Sequence, residues 1–195
     1  MIFITVINHY HEKINPKHKD IVDLDAFELL SGEKYLINEL NNNLKLLYWP
    51  FSFYPTRIES YDKVNLAIVE LLNSSSSSVG ATSKNDILIE FDGRNGALGL
   101  LTNAKSMHKK YIAIERDRSS YETVKRNFAE NQVPSDSYEV CYDLRRIKRV
   151  LGKIAQDWGD DVKISFVYHA DNRNLMHYLK KSSLCFSFSS FLKFF

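Results

Sequence analysis

Two periods of hydrophobicity alternate through the second half of the chain. Ile87, Leu88 and Ile89, then Tyr111, Ile112, Ala113 and Ile114, then residues 138–141 and 163–168, form apolar runs of strand length. Segments of helical period separate them. One follows the first run directly. A second is marked by Ser119 as an N-cap with Glu122 three residues on, by Tyr121, Val124 and Phe128 along one side, and by Asn131 and Pro134 at its end. A third carries Leu144, Ile147, Leu151 and Ile154. Strands that alternate with helices specify a parallel sheet with right-handed crossovers, here of about four strands.

The first half reads differently. Residues 1–50 are strand-rich, with Ile21, Val22 and Leu24 among acids, and with residues 35–37 and 44–49 as two strands around an Asn41, Asn42, Asn43 turn. The apolar start, Met1 to Ile7, lacks a positive leader and is expected to be a strand rather than a signal peptide. Between about Ser60 and Leu72, Tyr61, Val64, Ile68, Leu71 and Leu72 recur at helical spacing. Asn73, Ser74 through Ser78 and Gly80 then form a polar, low-complexity stretch expected to be a loop. At the other end, residues 182–195 are rich in phenylalanine and serine with one charge, Lys193. A packed strand and a shortened or altered chain end are equal readings of that tail, since such a segment left exposed would aggregate. The expected organisation is a β-rich segment over 1–50, the alternating domain over 51–181 and an atypical tail over 182–195.

Composition narrows the classes. A chain of 195 residues with 44% hydrophobic content can build one packed domain and a small appendage. A formal charge of +2 gives no strong whole-molecule attraction to nucleic acid, so local clusters must supply any. Two exist: Arg145, Arg146, Lys148, Arg149 and Lys153 on the third helix, and Lys105, His108, Lys109 and Lys110. Each is either a solvated face or a phosphate-binding patch. Cys141 and Cys185 have neither metal-ligand nor disulfide-framework spacing, and His9 and His11 alternate as on a strand face without an evident third ligand. No apolar run is long enough to span a bilayer, and an intracellular location is expected.

The candidate chemistry sits where the first run ends. Glu90, Phe91, Asp92, Gly93, Arg94, Asn95 and Gly96 make a glycine-bearing turn, and Glu115 closes the second run about 20 residues on. Strand, turn, helix and acid-ended strand form the layout that binds an adenosyl group. Gly93 and Gly96 would let a ligand approach the backbone, and Glu115 would grip ribose hydroxyls. Glu90 and Asp92 would position an amino group or cap the next helix. Asp143 would contact the adenine amino group or cap its own helix. A nucleotide-dependent oxidoreductase is the less favoured class, because no clean G-x-G-x-x-G is present.

Beyond these, residues 32–36 (Gly-Glu-Lys-Tyr-Leu) to Leu40, Leu44, then Phe51, Ser52, Phe53 and Tyr54, the helix to Leu72, the Glu90 turn and the Asn127–Phe128–Ala129–Glu130–Asn131 helix end are similar in order and spacing to RNA uracil-5-methyltransferases. The resemblance spans roughly Gly32 to Asp143. It implies a Rossmann-like class I methyltransferase sheet, incomplete at about four strands and preceded by a small β-rich segment. It also implies S-adenosylmethionine as cofactor, and methyl transfer to C5 of uridine in tRNA or rRNA. In that chemistry a cysteine thiolate adds to C6 of a flipped base and a carboxylate later removes the C5 proton. Here Pro55 and Arg57 replace the expected glutamine and asparagine, and Arg94 stands where the family has its first glycine. No D-P-P-R follows Tyr168, and no S-C-N-P exists. Cys185 is then the nearest candidate nucleophile and Asp171 the nearest candidate base. These departures set a second expectation: a catalytically inert RNA- or protein-binding relic of the family. The fourth strand would be an open edge unless the tail covers it.

Overall fold

Two antiparallel strand pairs come first. The computed structural model describes residues 9–12, 27–33, 35–40, 43–49, 52, 54–55, 57–77, 85–116, 118–159, 162–169 and 190–194. In it β1 (His9–Glu12) pairs with β2 (Phe27–Ser31), and β3 (Leu36–Leu40) pairs with β4 (Leu44–Tyr48) in the register Leu36 opposite Tyr48 to Leu40 opposite Leu44. The second pair is the hairpin expected around the asparagine turn. The strand expected at Met1 to Ile7, and the cluster at Ile21, Val22 and Leu24, lie outside the described residues.

Helix α1 (Ile58–Ser77) leads into the alternating half. There β5 (Asn85–Phe91), α2 (Ala97–Ala104), β6 (His108–Glu115), α3 (Arg118–Glu130) and β7 (Tyr138–Tyr142) follow in turn. A 3-10 turn over Leu144–Arg146, α4 (Ile147–Trp158), β8 (Ile164–His169) and β9 (Ser190–Phe194) complete it. The five strands from β5 on form one sheet in the order β7-β6-β5-β8-β9, every neighbouring pair parallel. All four expected strands are in it. The fifth comes from the tail: β9 pairs with β8 from Ser165 opposite Ser190 to His169 opposite Phe194. It covers the edge that four strands would leave open.

Alternation along the strands sorts the core into two layers. Ile87, Ile89 and Phe91 turn toward α4, which meets them with Ile147, Val150, Leu151 and Ile154. Leu88, Tyr111, Ala113 and Val167 face α1, α2, α3 and the β3–β4 hairpin. Because β6 lies on one side of β5 and β8 on the other, the connections reverse direction at β5. A crevice opens outside the carboxyl ends of the strands at such a point.

Three local expectations are corrected. Helix α1 runs through Ser77, across the serines expected to form a loop; the Ser74 hydroxyl donates to the Leu71 carbonyl at 3.0 Å and so is satisfied inside the helix. Its buried stripe is Asn65, Ile68, Val69 and Leu72, whereas Val64 and Leu71 are exposed. The polar Asn65 hid that stripe, and its amide is satisfied locally by donating to the Tyr61 carbonyl at 2.9 Å. Helix α3 begins at Arg118, which places Ser119 inside the first turn rather than ahead of it.

Candidate functional site

The pleat sends the last two residues of β5 to opposite faces. Phe91 stacks on Phe166 in the α4 layer at 6.2 Å, so Glu90 points the other way and is 1% exposed. A carboxylate so enclosed requires a donor. The Tyr111 hydroxyl on β6 supplies it, donating to Glu90 Oε2 at 2.5 Å. Burial, reinforced by the Glu90 charge, holds the Tyr111 phenol far above its ordinary value, so it remains a donor. To reach Glu90 the Tyr111 ring lies over Gly99 of α2, where a Cβ would overlap it. The Glu90 carboxyl folds over Gly93 in the same way, and Gly96, left-handed at φ 75°, faces Phe128 and Val124. A Cβ at Gly93 would have to displace the Glu90 carboxyl, and at Gly96 the left-handed backbone and the Phe128 ring both favour glycine. The space on the Cβ side of these two residues, expected to admit a ligand, thus holds the chain's own side chains.

Asp92 and Arg94 in this turn also have positive φ, 55° and 65°. A non-glycine residue enters that region at a cost of about 1–2 kcal/mol. Arg94 thus keeps the glycine-like backbone of the position where the resemblance has glycine. Its N–H donates to Glu115 Oε1 at 3.0 Å and ties the end of β6 to the turn after β5. Glu115 is 0% exposed. Asp92 is buried too, and Arg116 Nε lies 2.9 Å from each of its carboxylate oxygens. Neither Glu90 nor Asp92 takes the capping role considered for them: α2 has Gly96 as its N-cap, and Asn95 Oδ1 accepts the Ala97 N–H at 3.1 Å.

Asp143 follows β7 with φ 84°, and its N–H donates to the Glu115 carbonyl at 2.8 Å. Its carboxylate accepts the Arg145 N–H at 2.9 Å and Arg145 Nε at 2.7 Å. These Arg145 bonds hold the Asp143 carboxyl below the usual carboxylate range. The capping geometry considered for Asp143 is thus present, at an edge position. Glu90, Asp92, Glu115 and Asp143 all gather at the carboxyl ends of three adjacent strands, β5, β6 and β7. Cys185 and Asp171 lie outside the described residues. Cys141 is buried on the α4 side, where burial and then Glu139 push its thiol up to about 12. It is no thiolate. His108, grouped by sequence with the surface lysines, is buried and lies 2.9 Å from the Thr102 hydroxyl.

What supports the turn from behind was not anticipated. Asn95 is fully buried; its Oδ1 accepts the Tyr61 hydroxyl at 2.7 Å, and its carbonyl accepts Asn127 Nδ2 at 2.8 Å. Asn127 Oδ1 accepts the Leu47 N–H of β4 at 2.7 Å. One turn on, Asn131 accepts the Lys45 N–H at 2.8 Å and donates to the Lys45 carbonyl at 2.7 Å. The four-residue spacing of two asparagines was the available signal: it puts both amides on one helix face, in reach of one strand edge.

Among the described residues no group of three or more His, Cys, Asp or Glu could hold a metal ion, and no helix is long and apolar enough to cross a membrane.

No family model matches the sequence, and no curated protein matches it. Solved structures do. Trm5b from Pyrococcus abyssi is similar with a TM-score of 0.53 at 13% identity, over 94% of this chain and 46% of its own. TYW2 from P. horikoshii in complex with MeSAdo gives 0.48 at 18% identity, over 78% of this chain and 50% of its own. TYW2 from M. jannaschii in complex with AdoMet gives 0.46 at 12% identity, over 80% and 62%. The chain spans about half the length of the first two. At this identity the likeness to Trm5b is one of architecture, and the chain has the Rossmann-like fold of class I methyltransferases together with two small antiparallel strand pairs.

Proposed function

We propose that this chain binds S-adenosylmethionine at the carboxyl edge of β5, β6 and β7 and belongs functionally with RNA methyltransferases. The observation that carries the reading is the convergence of Glu90, the Gly93–Gly96 turn, Glu115 and Asp143 on that edge. The donor set fits the cofactor. Glu115, anchored through Oε1 by the Arg94 N–H, would take ribose hydroxyls on its remaining lone pairs. Asp143 retains acceptor capacity beyond its Arg145 bonds, since a carboxylate offers about four lone-pair sites, and suits an adenine amino group. Glu90 and Asp92 would serve an amino group only with the acceptor capacity left beyond their bonds to Tyr111 and Arg116. The case against a dinucleotide is the missing G-x-G-x-x-G rather than charge, since Asp92 and Asp143 are each paired with an arginine. When bound, the cofactor supplies a methyl group on positively charged sulfur, open to displacement by a nucleophilic atom of the substrate.

The finer reading, C5 of uridine, comes from the sequence resemblance and requires a thiolate. Cys141 is too deeply buried and too weakly acidic for that part; Cys185 and Asp171, the candidates for nucleophile and base, lie outside the described residues. The reading as an inert relic draws on Arg94, whose Cβ stands at the position where glycine would give a ligand access to the backbone.

Calorimetry with S-adenosylmethionine, and separately with a nicotinamide dinucleotide, tests the cofactor. Binding of the first alone is expected, weakened at least about ten-fold by Glu115→Ala through loss of charge-assisted hydrogen bonds. No binding, or unchanged binding in that variant, would sink the proposal. Transfer of a labelled methyl group to tRNA separates the enzyme from the relic. Release of tritium from 5-labelled uridine, lost in Cys185→Ser, separates uridine C5 from other acceptors.

A further inference from the structure

We infer that His169, which the sheet sets beside the turn after β5, takes a proton from the methyl acceptor, and that the acceptor is a nitrogen or an oxygen of RNA that carries one. The inference rests on the RNA methyltransferase reading and assigns a proton step within it.

Topology carries the inference. The connections reverse at β5, and the crevice at such a point has two sides. The candidate cofactor residues take one side, at the ends of β5, β6 and β7. The other side is the end of β8, whose last residue is His169. Phe91 is opposite Tyr168 in the parallel pair, so His169 is level with Asp92, the first residue of the turn, one strand spacing of about 4.8 Å away. Phe91 and Tyr168 both belong to the α4 layer, so the pleat gives position 169 to the face that Glu90 occupies. On its far side His169 pairs with Phe194 of β9. It therefore stands on an interior strand, which fixes a reacting group better than a loop does.

The chemistry of the edge then selects the role. The strands end, in order across the sheet, in Tyr142, Glu115, Phe91, His169 and Phe194. Of these side chains only an imidazole ordinarily changes charge between about pH 5 and 8, where a proton acceptor is needed. Around that level stand Glu90, Asp92 with its partner Arg116, and Lys193. A carbon acceptor such as uridine C5 must first be activated by a thiolate, which Cys141 cannot supply. A ring N–H or a hydroxyl has its own lone pair and needs only a base. The acceptor's lone pair forms the bond to the methyl carbon as that carbon's bond to sulfur breaks, with its electrons left on sulfur. The acceptor's proton passes to the His169 imidazole and from there to water.

The test uses the full chain, labelled S-adenosylmethionine and unmodified tRNA transcripts. The wild type is expected to put the label on nitrogen or oxygen, identified by nucleoside digestion, at a rate that rises with pH and levels off near neutrality. His169→Gln should bind the cofactor in calorimetry as the wild type does, transfer the methyl group about 100-fold more slowly, and lose the rising limb. A second readout needs neither cofactor nor RNA. In the free chain the His169 imidazole resonances, assigned by their loss in His169→Gln, should titrate between about pH 5 and 8, unlike those of buried His108. Label on carbon, a rising limb kept by His169→Gln, an imidazole that does not titrate in that window, or cofactor binding without transfer to any tRNA would overturn this inference alone. Absence of cofactor binding would remove the methyltransferase reading, and this step with it.

Discussion

The Tyr111 hydroxyl and the Glu90 carboxylate meet at 2.5 Å across the parallel pair β5 and β6, both enclosed by the α2–α3 layer. Losing the donor takes a hydrogen bond from a buried carboxylate, whereas a neutral acceptor in place of the carboxylate leaves the hydroxyl partnered. Tyr111→Phe is expected to cost about 1–3 kcal/mol in urea unfolding, and Glu90→Gln less. If Glu90→Gln cost more, the bond would not be what holds the turn.

Arg94 tests the turn from the other side. Its left-handed backbone suits glycine, so Arg94→Gly should be about 1 kcal/mol more stable than Arg94→Ala, despite glycine's greater freedom when unfolded. Thermal unfolding of the two variants gives the comparison. With the cofactor bound at this edge, the glycine variant is also expected to bind it more tightly than the wild type does.

The asparagine clamp should be measurable residue by residue. Asn127→Ala leaves the Leu47 N–H and the Asn95 carbonyl without their partner and is expected to cost about 2–4 kcal/mol, at roughly 1–2 per buried group. Asn131→Ala, at a more exposed bond, should cost about 1 kcal/mol. Amide exchange at Leu47 should quicken most in the first variant. Equal exchange in both would mean that the hairpin is held by its apolar contacts alone.

His108 supplies a pH dependence. Burial lowers its value from 6.5 to about 4, so between those limits the unfolded chain binds a proton that the folded chain does not. Its contribution is therefore intact above pH 6.5 and is lost on acidification toward pH 4, by up to about 3 kcal/mol in all. Subtracting the stability curve of His108→Gln from that of the wild type isolates this loss. A flat difference across the window would contradict it.

The sheet was legible because runs such as Tyr111–Ile114 are apolar on both faces, and only a covered parallel strand asks for that. Glu115 and the Glu90 turn were legible for the same reason: each ends such a run. The α1 stripe was right at Ile68 and Leu72 and wrong at Val64 and Leu71, because a polar residue, Asn65, occupies a core site after satisfying itself on Tyr61. The serines after it were misread since serine's preference for loops is weak, and an established helix overrides it. His108 went astray because charge patterning groups neighbours in sequence, while a strand sends neighbours to opposite faces. The asparagine network was half visible: the spacing of Asn127 and Asn131 puts two amides on one helix face, but their β4 partners are backbone groups some eighty residues away that local composition does not record.

Those side-chain amides have a bearing on solution behaviour. Along β4 the N–H groups of Lys45 and Leu47 point away from β3, where a third strand would ordinarily dock. The end of α3 occupies that place, so a small two-stranded ribbon that would otherwise invite recruitment of a neighbouring molecule is already completed from within. Loosening the helix end would thus be felt first as self-association of the protein, before any loss of its secondary structure.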